Sequence, residues 1–315
     1  MAVVTGVGRS IGDFGPGLRP VEWVLCVYLV VTAVLLVLGE RTLPHAFLRA
    51  GLHVVAVGAI VLMARAESKV PPAVALVRRI FPLVLGPLFY LEIGVLNDVI
   101  WGERYFDSCV VAVERALFGV DTSQAFARAW PWAWWSELLH LGYGSYYALP
   151  ASLFVVLALR RKWAALEWYL TVLALTFTSC QIWFVLLPVT GPYHYFGPLD
   201  PPAPGSFFPP LVNSIVSGGS SIGTAFPSSH VAVAFCVLAC AWRTDRTTAW
   251  VLAVLVTLLT VGTVYGGFHY LVDTIAGILW CAVTFTLGSW LHRWLQERRL
   301  TPRRAGRPRS RPAAR

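Results

Sequence analysis

Long apolar stretches, each close to twenty residues, recur from one end of this chain to the other. A helix of about 20 apolar residues crosses a hydrocarbon core about 30 Å thick, so these stretches predict transmembrane helices. Only 13% of the residues are charged and 57% are hydrophobic, whereas roughly 25% charged is usual in soluble domains. The sequence therefore predicts an all-α integral membrane protein and excludes a soluble enzyme. We predict eight spans, at residues 20–39, 43–64, 80–101, 138–159, 164–189, 227–242, 248–266 and 270–292.

Basic residues are concentrated on the short connections between alternate spans. They are Arg65, Lys69, Arg78, Arg79, then Arg160, Arg161, Lys162, and finally Arg243 and Arg246. Counting the spans between them places these connections and the C-terminal tail on one side of the membrane. The positive-inside rule makes that side the cytoplasm. We therefore predict a plasma-membrane protein with both termini in the cytoplasm.

Two longer connections, at residues 102–137 and 190–226, then fall on the extracytoplasmic side. The first contains Trp130, Trp132, Trp134 and Trp135. Tryptophan favours the headgroup layer, so we predict helices that lie in the membrane interface. The second is rich in Gly, Pro and Ser and has no periodic pattern, and we interpret it as an ordered lid or rim over a site.

The C-terminal segment, residues 293–315, carries much of the surplus that gives the chain its formal charge of +9. Interleaved arginine and proline predict a disordered tail that lies against anionic lipid headgroups, with nucleic-acid binding as the weaker alternative. The six cysteines show neither CxxC spacing nor Cys/His ligand spacing, so we interpret them as packing residues. Because no carboxylate cluster suggests a catalytic metal, we expect chemistry without a metal or other cofactor.

The segment Ala225-Phe226-Pro227-Ser228-Ser229-His230 opens an apolar helix. Proline suits the first turn of a helix, and the amide groups of Ser228, Ser229 and His230 would point out of the helix end beside two hydroxyls. This arrangement predicts an anion-binding cradle at Ser228 and Ser229. A plain helix cap with a hydrogen-bonded histidine is the alternative.

A second polar segment, from Thr263 to Asp273, leads into the last span. His269 and Asp273 are four residues apart, so on a helix they share a face. A carboxylate that accepts the Nδ1 proton leaves Nε2 free as a nucleophile or base. The alternative is a buried hydrogen bond that holds two helices, but ionisable residues in membrane spans are costly enough to favour a functional role.

The spacing of the two segments places both histidines on the same face of the membrane. From His230 the chain descends one span, turns at Arg243 to Arg246, and climbs another span of similar length to His269. Two imidazoles, one carboxylate and an anion cradle at one depth favour phosphoryl transfer.

Pro227-Ser228-Ser229-His230, followed by His269 and Asp273, resembles the second and third signature motifs of the type 2 phosphatidic acid phosphatase superfamily. The resemblance implies that His269 is the nucleophile and forms a phosphohistidine. It also implies that Asp273 orients His269 and that His230 protonates the leaving group.

Within this superfamily the sequence is similar to the aureobasidin-resistance, or inositolphosphotransferase, branch. The similarity rests on Gly191-Pro192-Tyr193 after a span, on the two histidine segments, and more weakly on residues 115–119. It covers about residues 80–292, which implies a catalytic domain with a six-helix phosphatase-type core. Residues 1–79 then hold two extra transmembrane helices, and residues 293–315 form the tail.

Two features depart from the superfamily pattern. Where the third motif usually carries a Ser-Arg pair, this chain has Gly262 and Thr263, and the first motif with its Lys and Arg is not recognisable. The phosphate then needs other cations, for which the extracytoplasmic Arg104, Arg115 and Arg128 are candidates. We place Arg115 at the phosphate with Ser228 and Ser229.

Three further residues are candidates for a headgroup pocket. Asp98 stands near the outer end of the third predicted span, and Tyr193 and His194 stand on the lid-like connection. A structural ion pair for Asp98 and a plain interfacial role for the two rings are the alternatives.

These features predict an enzyme that acts on a lipid phosphate or phosphodiester at the extracytoplasmic face. The reaction is transfer involving an inositol-type or other polyol, or plain hydrolysis of a phosphatidic acid or prenyl phosphate. A membrane serine hydrolase is a more distant alternative, since the chain lacks a GxSxG elbow. A transporter is another, although both histidines lie near one face and no inverted repeat is visible.

Overall fold

The structure, a computed structural model, describes residues 17–41, 43–65, 71–102, 104–199, 202–219 and 221–300. Over these residues the chain is helical and contains no strand. Its helices are α1 (Pro20–Leu38), α2 (Ala46–Arg65), α3 (Pro72–Tyr90), α4 (Ile93–Trp101), α5 (Asp107–Phe118), α6 (Thr122–Ala129), α7 (Ala133–Gly144), α8 (Leu149–Leu159), α9 (Trp163–Leu186), α10 (Pro192–Tyr195), α11 (Phe208–Gly219), α12 (Ser229–Thr244), α13 (Arg246–Tyr265) and α14 (Leu271–Leu300).

In the described part of the chain, six helices are long and apolar enough to cross a membrane: α1, α2, α3, α9, α13 and α14. A seventh span results if α7 and α8 count as one, although the pair bends by 56°. The all-helical membrane class is thus confirmed. The predicted span at residues 227–242 corresponds to α12, which is apolar but has only 16 residues and so falls short of this length criterion.

The third span differs from the prediction of residues 80–101. Helix α3 begins at Pro72 and ends at Tyr90, and α4 follows as a separate helix of nine residues. Arg78 and Arg79 therefore do not lie on a connection but are buried within α3. Their charges are met by carboxylates: Arg78 Nε donates to Glu22 at 2.8 Å, and Arg79 Nη1 lies 3.7 Å from Glu167.

Helix α1 is joined to the rest of the bundle by polar contacts within its buried face. The Tyr28 hydroxyl donates to Gln181 Oε1 on α9 at 2.8 Å, and Gln181 Nε2 donates to the carbonyl of Gly86 on α3 at 3.3 Å. The domain boundary expected at residue 79 falls inside α3. No hydrocarbon group can replace these partners, so the three helices are held in register.

Basic residues gather at one end of the bundle. Asp245, between α12 and α13, accepts hydrogen bonds from Arg160 and from Lys162, the latter at 3.2 Å. Burial alone would raise the pKa of the Asp245 carboxyl, but hydrogen bonds from Thr248 and Lys162 outweigh burial and lower the pKa. Trp163 follows Lys162 in the sequence, and its ring lies 4.9 Å from the Arg79 guanidinium. The arginines of α3 therefore lie at the same end of the bundle.

The expected tail begins as helix, because α14 continues to Leu300. The rest of the tail, at residues 301–315, lies outside the described residues, as do residues 1–16 and Lys69.

The two long connections lie at the opposite end of the bundle. The first forms α5 and α6, where helices were expected. The second was expected to lack a periodic element, but it contains the twelve-residue helix α11. The Glu137 carboxylate on α7 accepts the amides of Ser206, Phe207 and Phe208 at 2.6, 2.9 and 2.8 Å. This side chain from a distant helix satisfies the amides at the start of α11, so no local cap is visible in the sequence.

Helices α7 and α13 pack closely through a glycine. A Cβ atom at Gly262 would lie 3.0 Å from the carbonyl carbon of Leu139 and closer still to its oxygen. Backbone atoms cannot give way as side chains can, so this position requires glycine. Thr263, the next residue, is fully buried and donates to the carbonyl of Leu259 at 2.7 Å.

We expect Gly262→Ala to separate α7 from α13 and to lower the free energy of unfolding by about 1–3 kcal/mol. Gly58→Ala on α2 is the matched control, because its Cβ would meet nothing within 4 Å. Thermal unfolding of both variants in detergent measures the difference. Equal melting temperatures for Gly262→Ala and wild type would contradict the close contact.

Candidate active site

Helix α12 begins at the serine pair. Ser228 is its N-cap, and the Ser228 Oγ accepts the amide of Val231 at 3.4 Å. The Ser228 amide donates to the carbonyl of Asp273 at 3.0 Å, so it is not available to the predicted cradle. The amides of Ser229 and His230, at the first helical positions, remain to face an anion.

His269 is positioned by main-chain groups. Its amide and that of Phe268 both donate to the carbonyl of Thr263 at 3.2 Å, which closes the turn after α13. Its Nδ1 lies 3.0 Å from the carbonyl oxygen of Ala225 and 3.6 Å from Asp273 Oδ2. Both neighbours are acceptors, so we assign the proton to Nδ1 and the lone pair to Nε2. The closer acceptor is the backbone carbonyl of Ala225, whereas the sequence predicted the carboxylate of Asp273.

Asp273 is fully buried in the first turn of α14. Its Oδ2 accepts the amide of Tyr270 at 3.0 Å as well as facing His269. The carboxylate therefore orders the residue next to His269 and adds negative charge behind the imidazole, which favours the Nδ1–H tautomer.

Two tyrosine rings pack against the imidazole of His230. The rings of Tyr143 and Tyr146 have centroids 5.0 and 4.2 Å from that of His230, and the Tyr143 hydroxyl lies 3.4 Å from its Nε2. The imidazoles of His230 and His269 have centroids 5.6 Å apart. One phosphoryl group between them could contact both rings.

Asp107, the first residue of α5, connects the separate segments of the site. Its Oδ1 accepts the Gly191 amide at 2.9 Å and the Tyr270 hydroxyl at 3.0 Å, and its Oδ2 accepts the Thr190 amide at 2.8 Å. The side chain is buried. One carboxylate thus fixes the 190–191 turn against the residue that follows His269.

Gly191 lies where the chain passes between the two histidine segments. Its φ of +88° suits glycine, and a Cβ there would lie 3.0 Å from the carbonyl oxygen of Phe268 and 3.2 Å from the side chain of Ala225. An isolated β-bridge between Val189 and Thr224 joins the same two segments of the chain. This close approach explains the glycine at residue 191.

The histidines line a cavity of about 270 Å³. Its walls are rich in hydroxyl and ring groups and, among the described residues, include no arginine or lysine. These polar wall residues are Tyr90, Tyr143, Tyr146, Tyr147, Thr190, Tyr193, His194, Ser221, Thr224, Ser229, His230 and His269. A second cavity, of about 160 Å³, shares Tyr146, Tyr147 and Phe177 with the first and is otherwise mainly apolar.

The structure brings some of the predicted site residues to this cavity and leaves others outside it. Tyr193 and His194 line it. Asp98 is exposed on α4, because the chain breaks after α3 and α4 does not continue that helix. Arg115 forms a bidentate pair with Asp121 at 2.8 Å, with 54% of its side chain exposed.

The pair with Asp121 also raises the pKa of Arg115. Arg104 and Arg128 are exposed and do not line the cavity. The described residues include no group of three or more His, Cys, Asp or Glu side chains that could hold a metal ion.

The serine-hydrolase alternative fits the geometry poorly. Ser228 is fully buried, and its Oγ caps α12. Ser229 lines the cavity, but among the described residues no hydrogen bond joins its hydroxyl to an imidazole. A nucleophilic serine needs its base within hydrogen-bond reach.

Asp107, Tyr143 and Tyr146 are site residues that the sequence did not indicate. Asp107 could have been found as a carboxylate at the start of an apolar segment, and the two tyrosines as part of an aromatic cluster inside a span. Their roles depend on contacts with residues 83 to 163 positions away, and sequence spacing carries no sign of those contacts.

A family model described as the PAP2 superfamily matches residues 109–287, more than half of the chain. The chain belongs to the PAP2 superfamily. No curated protein and no solved structure matches it with significance. Membership makes the protein a membrane enzyme of the phosphatase type that acts on lipid phosphates, a class that is typically metal-independent. The match includes both histidines and Asp273, whereas Asp107 and helices α1 to α4 precede it.

We expect Asp107→Asn to lower turnover about tenfold to a hundredfold, because an amide would point its NH₂ at an N–H donor and loosen the turn beside His269. Tyr270→Phe removes only one of the three donors and should cost less. Asp121→Asn, on the exposed pair with Arg115, is the control and should leave turnover unchanged. Asp107→Asn with wild-type kcat would remove the carboxylate from any positioning role.

Proposed function

We propose that this PAP2 superfamily member transfers a phosphoryl-linked headgroup between a membrane lipid and a polyol through a phosphohistidine on His269. One observation carries the proposal: His230 and His269 face each other across a cavity whose described walls bear hydroxyls and rings but no arginine or lysine. Tyr193, His194 and Ser229 would contact the headgroup and phosphate.

The reaction follows from the two imidazoles. The His269 Nε2 lone pair attacks phosphorus, and the bond from phosphorus to the lipid oxygen breaks as His230 donates a proton to that oxygen. In the second step His230 takes the proton from an acceptor hydroxyl, whose oxygen attacks phosphorus. The phosphorus–nitrogen bond then breaks and returns the lone pair to His269. The amides of Ser229 and His230 would stabilise the phosphoryl oxygens in both steps.

The charge of the cavity favours a phosphodiester. A phosphomonoester carries a charge of about −1.5 to −2 at pH 7, whereas a diester carries a single negative charge. A buried anion without a facing cation is costly. Two amides and two histidines suit one negative charge better than two.

The walls also suit a polyol and a lipid. Thr190 and Tyr193 offer hydroxyls to an inositol-type headgroup. The adjoining apolar cavity beyond Tyr146 and Tyr147 would take part of a lipid chain. Plain hydrolysis of a phosphatidic acid or prenyl phosphate uses the same residues with water as the acceptor, and it remains the second candidate.

The substrate proposal is tested by purified protein incubated with radiolabelled phosphatidylinositol or phosphatidic acid, each with and without free polyol, in the presence of EDTA. We expect turnover of the diester, increased by polyol, and little release of phosphate from phosphatidic acid. Faster release from phosphatidic acid than any diester turnover would favour the hydrolase.

We expect His269→Ala to abolish turnover and to form no acid-labile phosphoryl-enzyme, because the intermediate lies on that ring. His194→Ala, a second imidazole on the cavity wall, should still form it. Rapid quenching with labelled lipid and peptide mapping identify the labelled residue. Label on Ser229 would overturn the histidine mechanism.

We further propose that the site opens on the extracytoplasmic side of the plasma membrane. The basic connections lie at the opposite end of the bundle from His230 and His269, and exporting Arg160, Arg161 and Lys162 together would oppose the positive-inside rule.

Cysteine labelling in intact cells tests this orientation. Cys109 is the one exposed native cysteine, so Cys109→Ser provides the background. We expect Ser206→Cys to react with a membrane-impermeant thiol reagent and Thr247→Cys to react only after the cells are lysed. Both native positions are exposed. The reverse pattern would place catalysis in the cytoplasmic leaflet.

A further inference from the structure

A cavity of about 870 Å³ lies between α1, α9 and α14, far from the catalytic residues. It is about three times the volume of the catalytic cavity, and its walls are mainly apolar, with Val27, Val31, Ile182 and Leu291 among them. Val27 and Val31 are 58% and 41% exposed, so the cavity opens on the lipid-facing surface of α1. We call it the α1–α14 groove.

The groove is long enough for an acyl chain. Its wall begins at Gly17 and Leu18, which precede α1, and reaches Val31 on that helix. The helical part, from Pro20 to Val31, rises about 16 Å. One leaflet contributes about half of a hydrocarbon core of about 30 Å. The groove therefore extends through a whole leaflet.

The mouth of the groove is basic. Arg298 and Arg299 line it, and the Arg298 guanidinium lies 3.8 Å from the ring centroid of Trp294. Further charged residues lie behind this mouth on α1, α3 and α9. Among the described residues these are Arg19, Arg78 and Arg79 with Glu22 and Glu167.

We infer that the α1–α14 groove binds an anionic phospholipid, with an acyl chain along α1 and the phosphate at Arg298 and Arg299. Two arginines that line the end of an apolar groove are complementary to a lipid phosphate. The lipid belongs to the leaflet opposite the catalytic cavity, since His269 and Arg298 lie at opposite ends of α14. By contacting three helices it stabilises the attachment of α1 to the bundle.

The test measures thermal unfolding of the full-length protein in detergent with added phosphatidylglycerol or phosphatidylcholine of the same acyl chains. We expect phosphatidylglycerol to raise the melting temperature by about 5 °C and phosphatidylcholine to raise it much less. Arg298→Gln should lose most of this difference and Arg298→Lys should keep it. Arg246→Gln, an exposed arginine of the same end outside the groove, is the control and should respond as wild type.

A second variant separates the groove from surface charge. Val27→Trp fills the groove without changing charge, so it should lose the response to phosphatidylglycerol as well. A full response in Val27→Trp would mean that the lipid only touches the basic surface, and equal shifts with the two lipids in wild type would mean that no anionic site exists. A response that appears only after residues 2–16 are deleted would assign the groove to that segment. Each of these three results overturns the proposal.

Discussion

The interior of a bilayer offers no hydrogen-bond partner to a peptide group, and this constraint decides where the chain of this PAP2 superfamily member can leave helical geometry. The bend between α7 and α8 and the turn between α13 and α14 both lie beside the catalytic cavity. At these places the backbone has other partners. The carbonyl of Thr263 accepts two amides in the turn, and the carbonyl of Gly142 accepts the Ser145 hydroxyl in the bend. The irregular segments therefore form the site, and the regular helices hold these segments in position.

The two ends of the bundle differ in how their charged side chains are placed. Carboxylates accompany the buried arginines at one end of the bundle, as Glu22 accompanies Arg78. At the other end the cavity walls are uncharged apart from histidine, while Asp107 and Asp273 lie behind them, each accepting hydrogen bonds from the backbone. The absence of a facing cation among the described wall residues is the basis on which we propose a singly charged phosphodiester as substrate.

The sequence predicted the helical membrane class and the meeting of His230 with His269, because both depend on local patterns and on the length of a span. It also placed Tyr193 and His194 near the site. It did not predict α11, because the cap of that helix comes from Glu137 on α7. It misplaced the third span, because the pairing of Arg78 with Glu22 joins residues 56 positions apart. Asp107 escaped notice for the same reason: its partners are distant in sequence.

The position of His269 depends on carbonyl oxygens of Thr263 and Ala225, and every amino acid carries such an oxygen. Apart from replacement of His269 itself, a substitution disturbs the position of this imidazole by displacing the backbone or by changing Asp107 or Asp273. Side chains that do not contact the site can diverge in sequence while its geometry persists. Distant members of such a lineage would keep the histidines and the supporting acids and share little else, so sequence comparison alone would underestimate their kinship.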